Sequence, residues 1–167
     1  MKKVNEINKY VIYSIGHGNR KIESFIFLLL DNQIDTLIDV RSYPYSRFHP
    51  QYRQVNLRTD LLKAGIGYQF LGKELGGRPQ DAALYDNGCL SYDVVKETDL
   101  FKSGLSQVIA LAQQNIKVTL MCSESDENQC HRKHLISEEL VKLGLNVIHI
   151  DKSGKLIRHT INESLFS

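Results

Sequence analysis

Short apolar runs alternate along the chain with segments whose apolar positions recur at helical spacing. The runs are rich in Val, Ile and aromatic residues, and they predict strands at 9–15, 36–40, 67–71, 117–121 and 147–150. Apolar positions three and four residues apart predict helices at 22–30, 55–63, 105–112 and 130–143. This order predicts an α/β fold with a mostly parallel sheet flanked by helices, a Rossmann-like three-layer sandwich.

Periodicity is weakest between residues 72 and 92. This stretch contains Gly76, Gly77, Pro79 and Gly88, residues that interrupt helices and strands. It therefore predicts a long loop or lid. Asn19 is predicted to cap the first helix, and Gly144 to end the helix before the last strand. The chain shows no internal repeat, low-complexity tract or linker, so we expect a single domain over 1–167.

Composition restricts the class of protein but not its partner. With 42% apolar residues in a chain of 167, a packed core is expected, and a net charge of +2 does not distinguish between ligands. No signal peptide is visible, no apolar stretch is long enough to cross a bilayer, and the three cysteines are too few for a disulfide scaffold. We therefore expect a cytoplasmic protein with no membrane partner.

Chemically capable side chains follow each predicted strand. In chain order they are His17, then Asp39, Arg41 and Ser42, then Cys122 and Glu124 with Cys130, His131 and Arg132, and finally His149 and Asp151. The third strand is followed by Gly76 and Gly77, which can contribute only their backbone. Ligands of open α/β sheets bind outside the carboxyl ends of the strands. The pattern therefore predicts that these side chains converge on one site.

Asp39 and Arg41 lie two residues apart at a strand end and are expected to point to the same side. In a functional interpretation, Asp39 acts as a base or accepts a sugar hydroxyl, and Arg41 binds an anion with two hydrogen bonds. In a structural interpretation, the two side chains form an ion pair that joins loops. We take Asp39 as a candidate catalytic residue, and the structural alternative stays open.

Glu124 and His17 are further candidates for acid–base chemistry. Glu124 follows a strand beside the same expected crevice and has the role of general acid, base or nucleophile if the substrate contains a glycosidic bond. Its structural alternative is to anchor the loop at 125–129. His17 is expected to position the ligand, or to be a hydrogen-bonded structural histidine.

Four metal-ligating residue types, Cys122, Cys130, His131 and His134, lie close together in the sequence. Their spacing, Cys-x7-Cys-His-x2-His, is not a common zinc spacing, so no metal is expected. Cys130 opens a helix beside His131 and Arg132, which should lower its thiol pKa and permit nucleophilic catalysis or a reversible bond with Cys122. The alternative is that both cysteines only pack in the interior.

Basic and hydroxyl side chains near the strand ends predict an anion-binding site. The residues taken as binding an anion or substrate are Arg41, Ser42, Ser46, Arg47, His131, Arg132, Gly76 and Gly77. The segment 43–53 interleaves aromatic residues with arginine and histidine, a mixture that stacks on bases and binds phosphates. Ordinary ordered loops share this composition, so both interpretations stay open.

The chain resembles the domain of unknown function 488 family in segments that occur in the same order. They are Ser14-Ile15-Gly16-His17, residues 39–47, residues 71–77, and Met121-Cys122-Ser123-Glu124 followed by Cys130-His131-Arg132. The resemblance extends from about Tyr13 to Ile150. It implies little about biochemistry beyond a suggested link to DNA modification and repair.

Motifs of several common enzyme classes are absent from the sequence. It contains no GxGxxG, GxxxxGK[ST], HExxH or GxSxG, which disfavours classical dinucleotide oxidoreductases, P-loop enzymes, zincin proteases and typical serine hydrolases. We expect an enzyme that acts, without a cofactor, on a nucleotide or nucleic acid at a glycosidic or phosphate-proximal bond. The alternatives are a non-catalytic nucleotide- or nucleic-acid-binding module and a thiol-dependent redox protein that uses Cys130.

Overall fold

A computed structural model describes residues 10–124 and 130–161, and its centre is a six-stranded sheet. The strands in chain order are β1 (Val11–Gly16), β2 (Thr36–Asp39), β3 (Gly67–Phe70), β4 (Tyr85–Asp86), β5 (Cys89–Leu90), β6 (Val118–Cys122), β7 (Asn146–Ile150) and β8 (Leu156–Arg158). The order across the main sheet is β3-β2-β6-β1-β7-β8, and β4 and β5 form a separate antiparallel pair. Neighbours in the main sheet are parallel, except that β8 pairs antiparallel with β7.

Helices occupy the connections between strands. They are α1 (Ile22–Asp31), α2 (Gln54–Lys63), α3 (Gly72–Leu75), α4 (Tyr92–Val95), α5 (Asp99–Gln113) and α6 (Glu138–Lys142). Short 3-10 turns lie at Pro50–Tyr52 and Ala82–Leu84, and a π-helix at Arg132–Ser137 leads directly into α6. In the part of the chain that the structure describes, no helix has the length and apolar character needed to span a membrane.

The sheet is the middle of three layers because a separate hydrophobic core covers each of its faces. Successive side chains of a strand point to opposite faces, so alternate residues of β1 belong to different cores. The core formed by the sheet with α1 and α2 includes Ile15, Leu29 and Leu57. The core formed by the sheet with α5 and α6 includes Ile12, Val108 and Leu140.

The connections that leave the neighbouring strands β1 and β6 run in opposite directions. β1 is followed by α1 and β2 on one side, whereas β6 is followed by α6 and β7 on the other. Because α1 and α6 cover opposite faces, a crevice is expected beyond the carboxyl ends of these two strands. The topology therefore places a candidate site after Gly16 and Cys122.

The predicted α/β class, mostly parallel sheet and flanking helices are confirmed. Gly144 follows α6 with a φ of 93°, so it ends the helix as predicted. The predicted cap at Asn19 is wrong, because α1 begins at Ile22 and Lys21 occupies the N-cap position without a side-chain hydrogen bond.

Several short elements were not predicted. The predicted loop at 72–92 contains α3, a 3-10 turn and the β4–β5 hairpin, each too short to produce a periodic pattern. All three residues of β8 are exposed, so this strand shows no alternation of apolar and polar positions.

We expect Gly104→Ala to destabilise the protein even though alanine favours a helix. Gly104 lies in α5, and a Cβ there would be 2.7 Å from Glu74 Cβ and 2.7 Å from Leu75 Cγ. The gain in helix propensity is about 1 kcal/mol, whereas overpacking costs about 1–3 kcal/mol, so the free energy of unfolding should fall by up to about 2 kcal/mol. Equilibrium urea unfolding measures this change.

The matched control is Ser103→Ala, at an exposed position of the same helix, which should not lower stability. A Gly104→Ala protein more stable than the wild type would contradict the close approach of α5 to α3.

Candidate functional site

A cleft of about 370 Å³ opens beyond the carboxyl ends of β2 and β6. The predicted site residues that line it are Arg41, Ser42, Gly77, Glu124, Cys130 and His131, together with Cys122. Backbone hydrogen bonds continue beside it, from His17 N–H to the Cys122 carbonyl at 2.9 Å and from Gly18 N–H to the Ser123 carbonyl at 3.1 Å. These bonds join the segments that follow β1 and β6, so the topological crevice and the observed cleft lie together.

Cys122 and Cys130 form a compact pair of thiols beside this cleft. Their Sγ atoms are 2.8 Å apart, and the two residues are only 2% and 3% exposed. Cys122 ends β6, and Cys130 lies just before the π-helix, where the Arg132 backbone N–H donates to Cys130 Sγ at 3.4 Å. Both cysteines are free thiols.

Arg132 is the largest fully buried side chain of the described residues, with 0% exposure. Its Nε donates to Cys122 Sγ at 3.1 Å, Nη2 donates to the Glu124 carbonyl at 3.2 Å, and Nη1 donates to Ser14 Oγ. The Ser137 hydroxyl donates to the Arg132 carbonyl at 2.6 Å, at the five-residue spacing of the π-helix. All three nitrogens of this guanidinium therefore have partners within the protein.

Cys122 is the more acidic of the two thiols. Burial raises its pKa, but a hydrogen bond from Cys130 and the charge of Arg132 outweigh burial and hold the pKa of Cys122 below that of an ordinary thiol. The hydrogen bond to Cys122, followed by burial, raises the pKa of Cys130. The predicted low pKa of Cys130 is therefore wrong, because its contact with Cys122 and its burial both raise this pKa.

Cys122 Sγ lies at hydrogen-bond distance from the buried guanidinium of Arg132. Within residues 10–124 and 130–161, no carboxylate lies within ion-pair distance of this guanidinium. Moving an unpaired ion from water into a protein interior costs roughly several kcal/mol. A buried cation therefore favours the anionic form of a group beside it. The described geometry, with Arg132 Nε 3.1 Å from Cys122 Sγ, favours the thiolate form of Cys122.

Asp39 and Arg41 form a sealed ion pair instead of an open catalytic group. The residues are 0% and 5% exposed, and Arg41 donates to the Asp39 carboxylate from Nε at 2.9 Å and from Nη2 at 2.7 Å. The Tyr68 hydroxyl donates to the same carboxylate at 2.7 Å, and Arg41 Nη1 donates to the Tyr52 carbonyl at 2.8 Å. This geometry favours the structural interpretation, because Asp39 does not line the cleft and its oxygens are occupied.

His17 and His131 are neutral side chains in this structure. Burial lowers the pKa of each to about 4. The His17 ring stacks on Tyr52 with centroids 4.1 Å apart, and its Nδ1 donates to the Gly18 carbonyl at 2.8 Å. His131 lines the cleft and His17 does not. His131 therefore does not supply a positive charge to the predicted anion site.

Gly76 and Gly77 allow a close approach of backbone to the cleft wall. A Cβ on Gly76 would be 2.3 Å from Ser42 Oγ, and a Cβ on Gly77 would be 2.7 Å from His131 Nδ1. Ser42 Oγ also accepts a hydrogen bond from the Arg78 backbone N–H at 2.8 Å. This packing holds the segment in place, and its closure over a ligand as a lid stays a prediction.

The remaining predicted residues differ in their distance from the cleft. Glu124 is exposed and lines it. Ser46 Oγ accepts the His49 backbone N–H at 3.0 Å, which assigns its hydroxyl to a turn. Arg47 is exposed, with its guanidinium carbon 5.6 Å from the centre of the Phe48 ring. Ser46 and Arg47 do not line the cleft.

No group of three or more His, Cys, Asp or Glu side chains in the described part of the chain is arranged to hold a metal ion. Of the residues considered for zinc, His131 Nδ1 lies 3.7 Å from Cys130 Sγ, and His134 is exposed.

Ser14 and Tyr92 contribute to the site although the sequence analysis did not select them as site residues. Ser14 Oγ accepts a hydrogen bond from Arg132. Tyr92 lines the cleft, and its pKa is raised by burial and, to a smaller extent, by the nearby Cys130 thiol. A buried hydroxyl needs a hydrogen-bond partner, so a serine inside the apolar run of β1 is a signal that could have identified Ser14.

Comparison with known proteins links the chain to a family rather than to an activity. The family model described as "Domain of unknown function DUF488" matches residues 21–138, a span that contains both thiols and Arg132. No curated protein and no solved structure matches the chain.

We expect Asp39→Asn to destabilise the fold strongly. The substitution leaves the Arg41 guanidinium buried without its carboxylate, and removing one partner of a buried ion pair costs about 3–5 kcal/mol. Chemical denaturation measures the loss. Asp93→Asn breaks a surface pair with Lys96, so this control should leave the stability nearly unchanged. Unchanged stability of Asp39→Asn would refute the structural role.

Proposed function

The chain belongs to the family of the domain of unknown function DUF488, and we propose that it is a thiol-dependent enzyme whose nucleophile is the Cys122 thiolate. The observation that carries this proposal is the 3.1 Å hydrogen bond from the fully buried Arg132 to Cys122 Sγ. The thiolate is the nucleophilic form of cysteine, and a neighbouring cation favours it. Cys130, whose Sγ is 2.8 Å away, is the resolving thiol.

The reaction that suits this pair is thiol–disulfide exchange with a small disulfide, RSSR′. The Cys122 thiolate attacks one sulfur, forms a Cys122–SR bond and releases R′S⁻. Cys130 gives its proton to R′S⁻, and its sulfur then attacks Cys122 Sγ, which forms the Cys122–Cys130 bond and releases RS⁻. The substrate gains two electrons and the protein loses two. An external thiol reductant returns the protein to the dithiol.

Burial restricts which disulfides can react. Cys122 is only 2% exposed, so a substrate reaches its sulfur through the cleft. A disulfide within a folded protein surface is too bulky to enter a cleft of about 370 Å³, whereas a small molecule fits. The proposal therefore specifies a low-molecular-weight substrate.

A reducing, cytoplasmic compartment is the location that suits this reaction. The exposed Cys89 is a free thiol, like the two cysteines beside the cleft. Free thiols persist where cellular reductants are abundant, and the same reductants would restore the dithiol after each turnover.

In a Cys89→Ser background, we expect an aromatic disulfide with a coloured leaving group to release two thiolates per chain and to leave a Cys122–Cys130 disulfide. Adding Cys130→Ser should reduce the release to one thiolate and trap a mixed disulfide on Cys122, because the resolving thiol is missing. Stopped-flow absorbance counts the thiolates, and mass spectrometry locates the adduct.

The reciprocal variant, with Cys122→Ser added instead, should react more slowly, because burial still raises the pKa of Cys130 and the Arg132 Nε donates to residue 122. Equal rates in the two variants, or two adducts without an internal disulfide, would show that the roles are assigned wrongly.

A second candidate function is the processing of a nucleotide or nucleic-acid substrate, and the rim of the cleft favours it. Tyr43 and Tyr45 line the cleft and are 55% and 62% exposed, and Arg78 is exposed beside them. The Arg53 guanidinium carbon lies 4.7 Å from the centre of the Tyr45 ring. Exposed aromatic faces beside guanidinium groups stack on bases and bind phosphates.

In this second proposal, the rim binds the base and phosphate, and the exposed Glu124 provides acid–base catalysis at a glycosidic or phosphate-proximal bond. Without that catalysis, the same rim would make the protein a nucleotide- or nucleic-acid-binding module.

We expect mononucleotides or short single-stranded DNA or RNA to raise the melting temperature of the wild type. A ligand at a hundred times its dissociation constant adds about 2.7 kcal/mol of stability, which thermal-shift measurements detect. Tyr45→Ala and Arg78→Ala should remove the shift. The control Arg58→Ala should retain it, because Arg58 is exposed but does not line the cleft.

Glu124→Gln separates an enzyme from a binding module. Turnover that is lost while binding is retained would assign catalysis to Glu124, whereas wild-type binding with no product would assign a binding module. No shift with any of these ligands would eliminate the second candidate and leave the thiol proposal intact.

A further inference from the structure

A chain of hydrogen bonds extends from Arg132 through the interior to Glu138. Arg132 Nη1 donates to Ser14 Oγ, and Ser14 Oγ lies 2.7 Å from His149 Nδ1. His149 Nε2 lies 2.9 Å from His159 Nδ1, and His159 Nε2 lies 3.1 Å from Glu138 Oε1. We refer to Ser14, His149, His159 and Glu138 together as the relay.

With both imidazoles neutral, the two ends of the relay fix the direction of every hydrogen bond in it. A guanidinium can only donate, and a carboxylate can only accept. Glu138 therefore accepts from His159 Nε2–H, which leaves His159 Nδ1 to accept from His149 Nε2–H. His149 Nδ1 then accepts from the Ser14 hydroxyl, whose oxygen accepts from Arg132. Both imidazoles must consequently carry their proton on Nε2.

The fold brings the relay together from separate elements. Ser14 of β1 and His149 of β7 are register partners in the sheet, and they are 0% and 1% exposed. His159 follows β8, where its N–H donates to the Val147 carbonyl at 2.8 Å. Glu138 begins α6, and its side chain is 25% exposed. The relay thus runs from the core to the surface and uses the edge strand.

Neutral histidines are the form that this direction requires. Burial, followed by the charge of Arg132, lowers the pKa of His149 to about 3. Burial also lowers the pKa of His159, although Glu138 acts in the opposite sense. A protonated ring would donate from both nitrogens and interrupt the sequence of donors and acceptors.

We propose that Ser14, His149, His159 and Glu138 are positioning residues that hold the Arg132 guanidinium with its Nε directed at Cys122. This inference rests on the proposed role of Cys122 as a thiolate nucleophile. A guanidinium is planar and rigid, so anchoring Nη1 on Ser14 and Nη2 on the Glu124 carbonyl determines where Nε points. The relay in turn orients the Ser14 hydroxyl, so that its oxygen is free to accept from Arg132.

Loss of the Ser14 hydroxyl would leave a buried N–H of Arg132 without an acceptor. Because an unsatisfied buried donor is costly, the guanidinium would turn toward another acceptor and move Nε away from Cys122. The thiolate would lose its closest cation, and the pKa of Cys122 would rise.

Ser14→Thr and Ser14→Val test the inner end of the relay, because they add the same bulk and only threonine keeps the hydroxyl. The readout is the rate of Cys122 alkylation by iodoacetamide against pH in the Cys89→Ser protein, with the modified site identified by mass spectrometry. We expect valine to raise the midpoint by about one pH unit, which is about tenfold slower alkylation below the midpoint, and threonine to preserve it.

Glu138→Gln tests the outer end, where the sign of the change separates positioning from simple charge. Removing a negative charge would lower the pKa of Cys122 if Glu138 acted only through space. A glutamine amide can donate as well as accept, so the direction of the relay is no longer fixed, and we expect the midpoint to rise. The control Glu139→Gln breaks a surface pair with Lys142, 3.0 Å long, and should leave the midpoint unchanged.

Nitrogen-15 NMR of the histidine rings gives a readout that does not depend on Cys122. We expect His149 and His159 of the wild type to carry their protons on Nε2, and a proton on Nδ1 of either ring would overturn the relay. Should Ser14→Val fail to fold, Glu138→Gln at the partly exposed end still decides the matter.

The outcomes separate this inference from the proposed function. An ordinary thiol midpoint for Cys122 in the wild type would overturn both. A low wild-type midpoint that does not change in Ser14→Val and Glu138→Gln would overturn the positioning role alone.

Discussion

A guanidinium that is removed completely from water must have a partner for each of its nitrogens, and Arg132 imposes this condition on the centre of the molecule. Its partners are the thiol that ends β6, a carbonyl two residues later, and the Ser14 hydroxyl inside β1. They meet only when β1 and β6 are neighbours in the sheet and the π-helix begins beside them. The partners of Arg132 therefore come together only in this sheet topology.

The two buried arginines of the cleft region show how the partner decides the role of a cation. Arg41 donates twice to the Asp39 carboxylate, which is sealed from solvent, so this pair is structural. Arg132 points instead at the Cys122 thiol, which is a far better nucleophile as an anion. The same type of buried charge thus pairs with a carboxylate in one place and with a thiol in the other.

The position of the thiol pair agrees with the general chemistry of open α/β sheets. Crossovers after β1 and β6 leave on opposite faces, and the space between them is where this architecture receives ligands. The sulfur atoms lie deep in that space, whereas Tyr43 and Tyr45 stand at its exposed rim. In the two proposed functions, depth favours small substrates and the exposed aromatic faces favour flat ones.

Local patterns by themselves determined the order of the longer strands and helices and the parallel sheet. They also placed Cys122, Cys130 and Arg132 near one strand end. This was possible because periodicity and chain spacing are properties of neighbours in sequence. Short or exposed elements such as β8 escaped them for the same reason. Only the tertiary structure decided that Arg132 donates to Cys122, that Asp39 is sealed and that hydrogen bonds connect Arg132 with Glu138. Those outcomes depend on burial and on contacts between residues as far apart in sequence as Ser14 and His149, which no local pattern encodes.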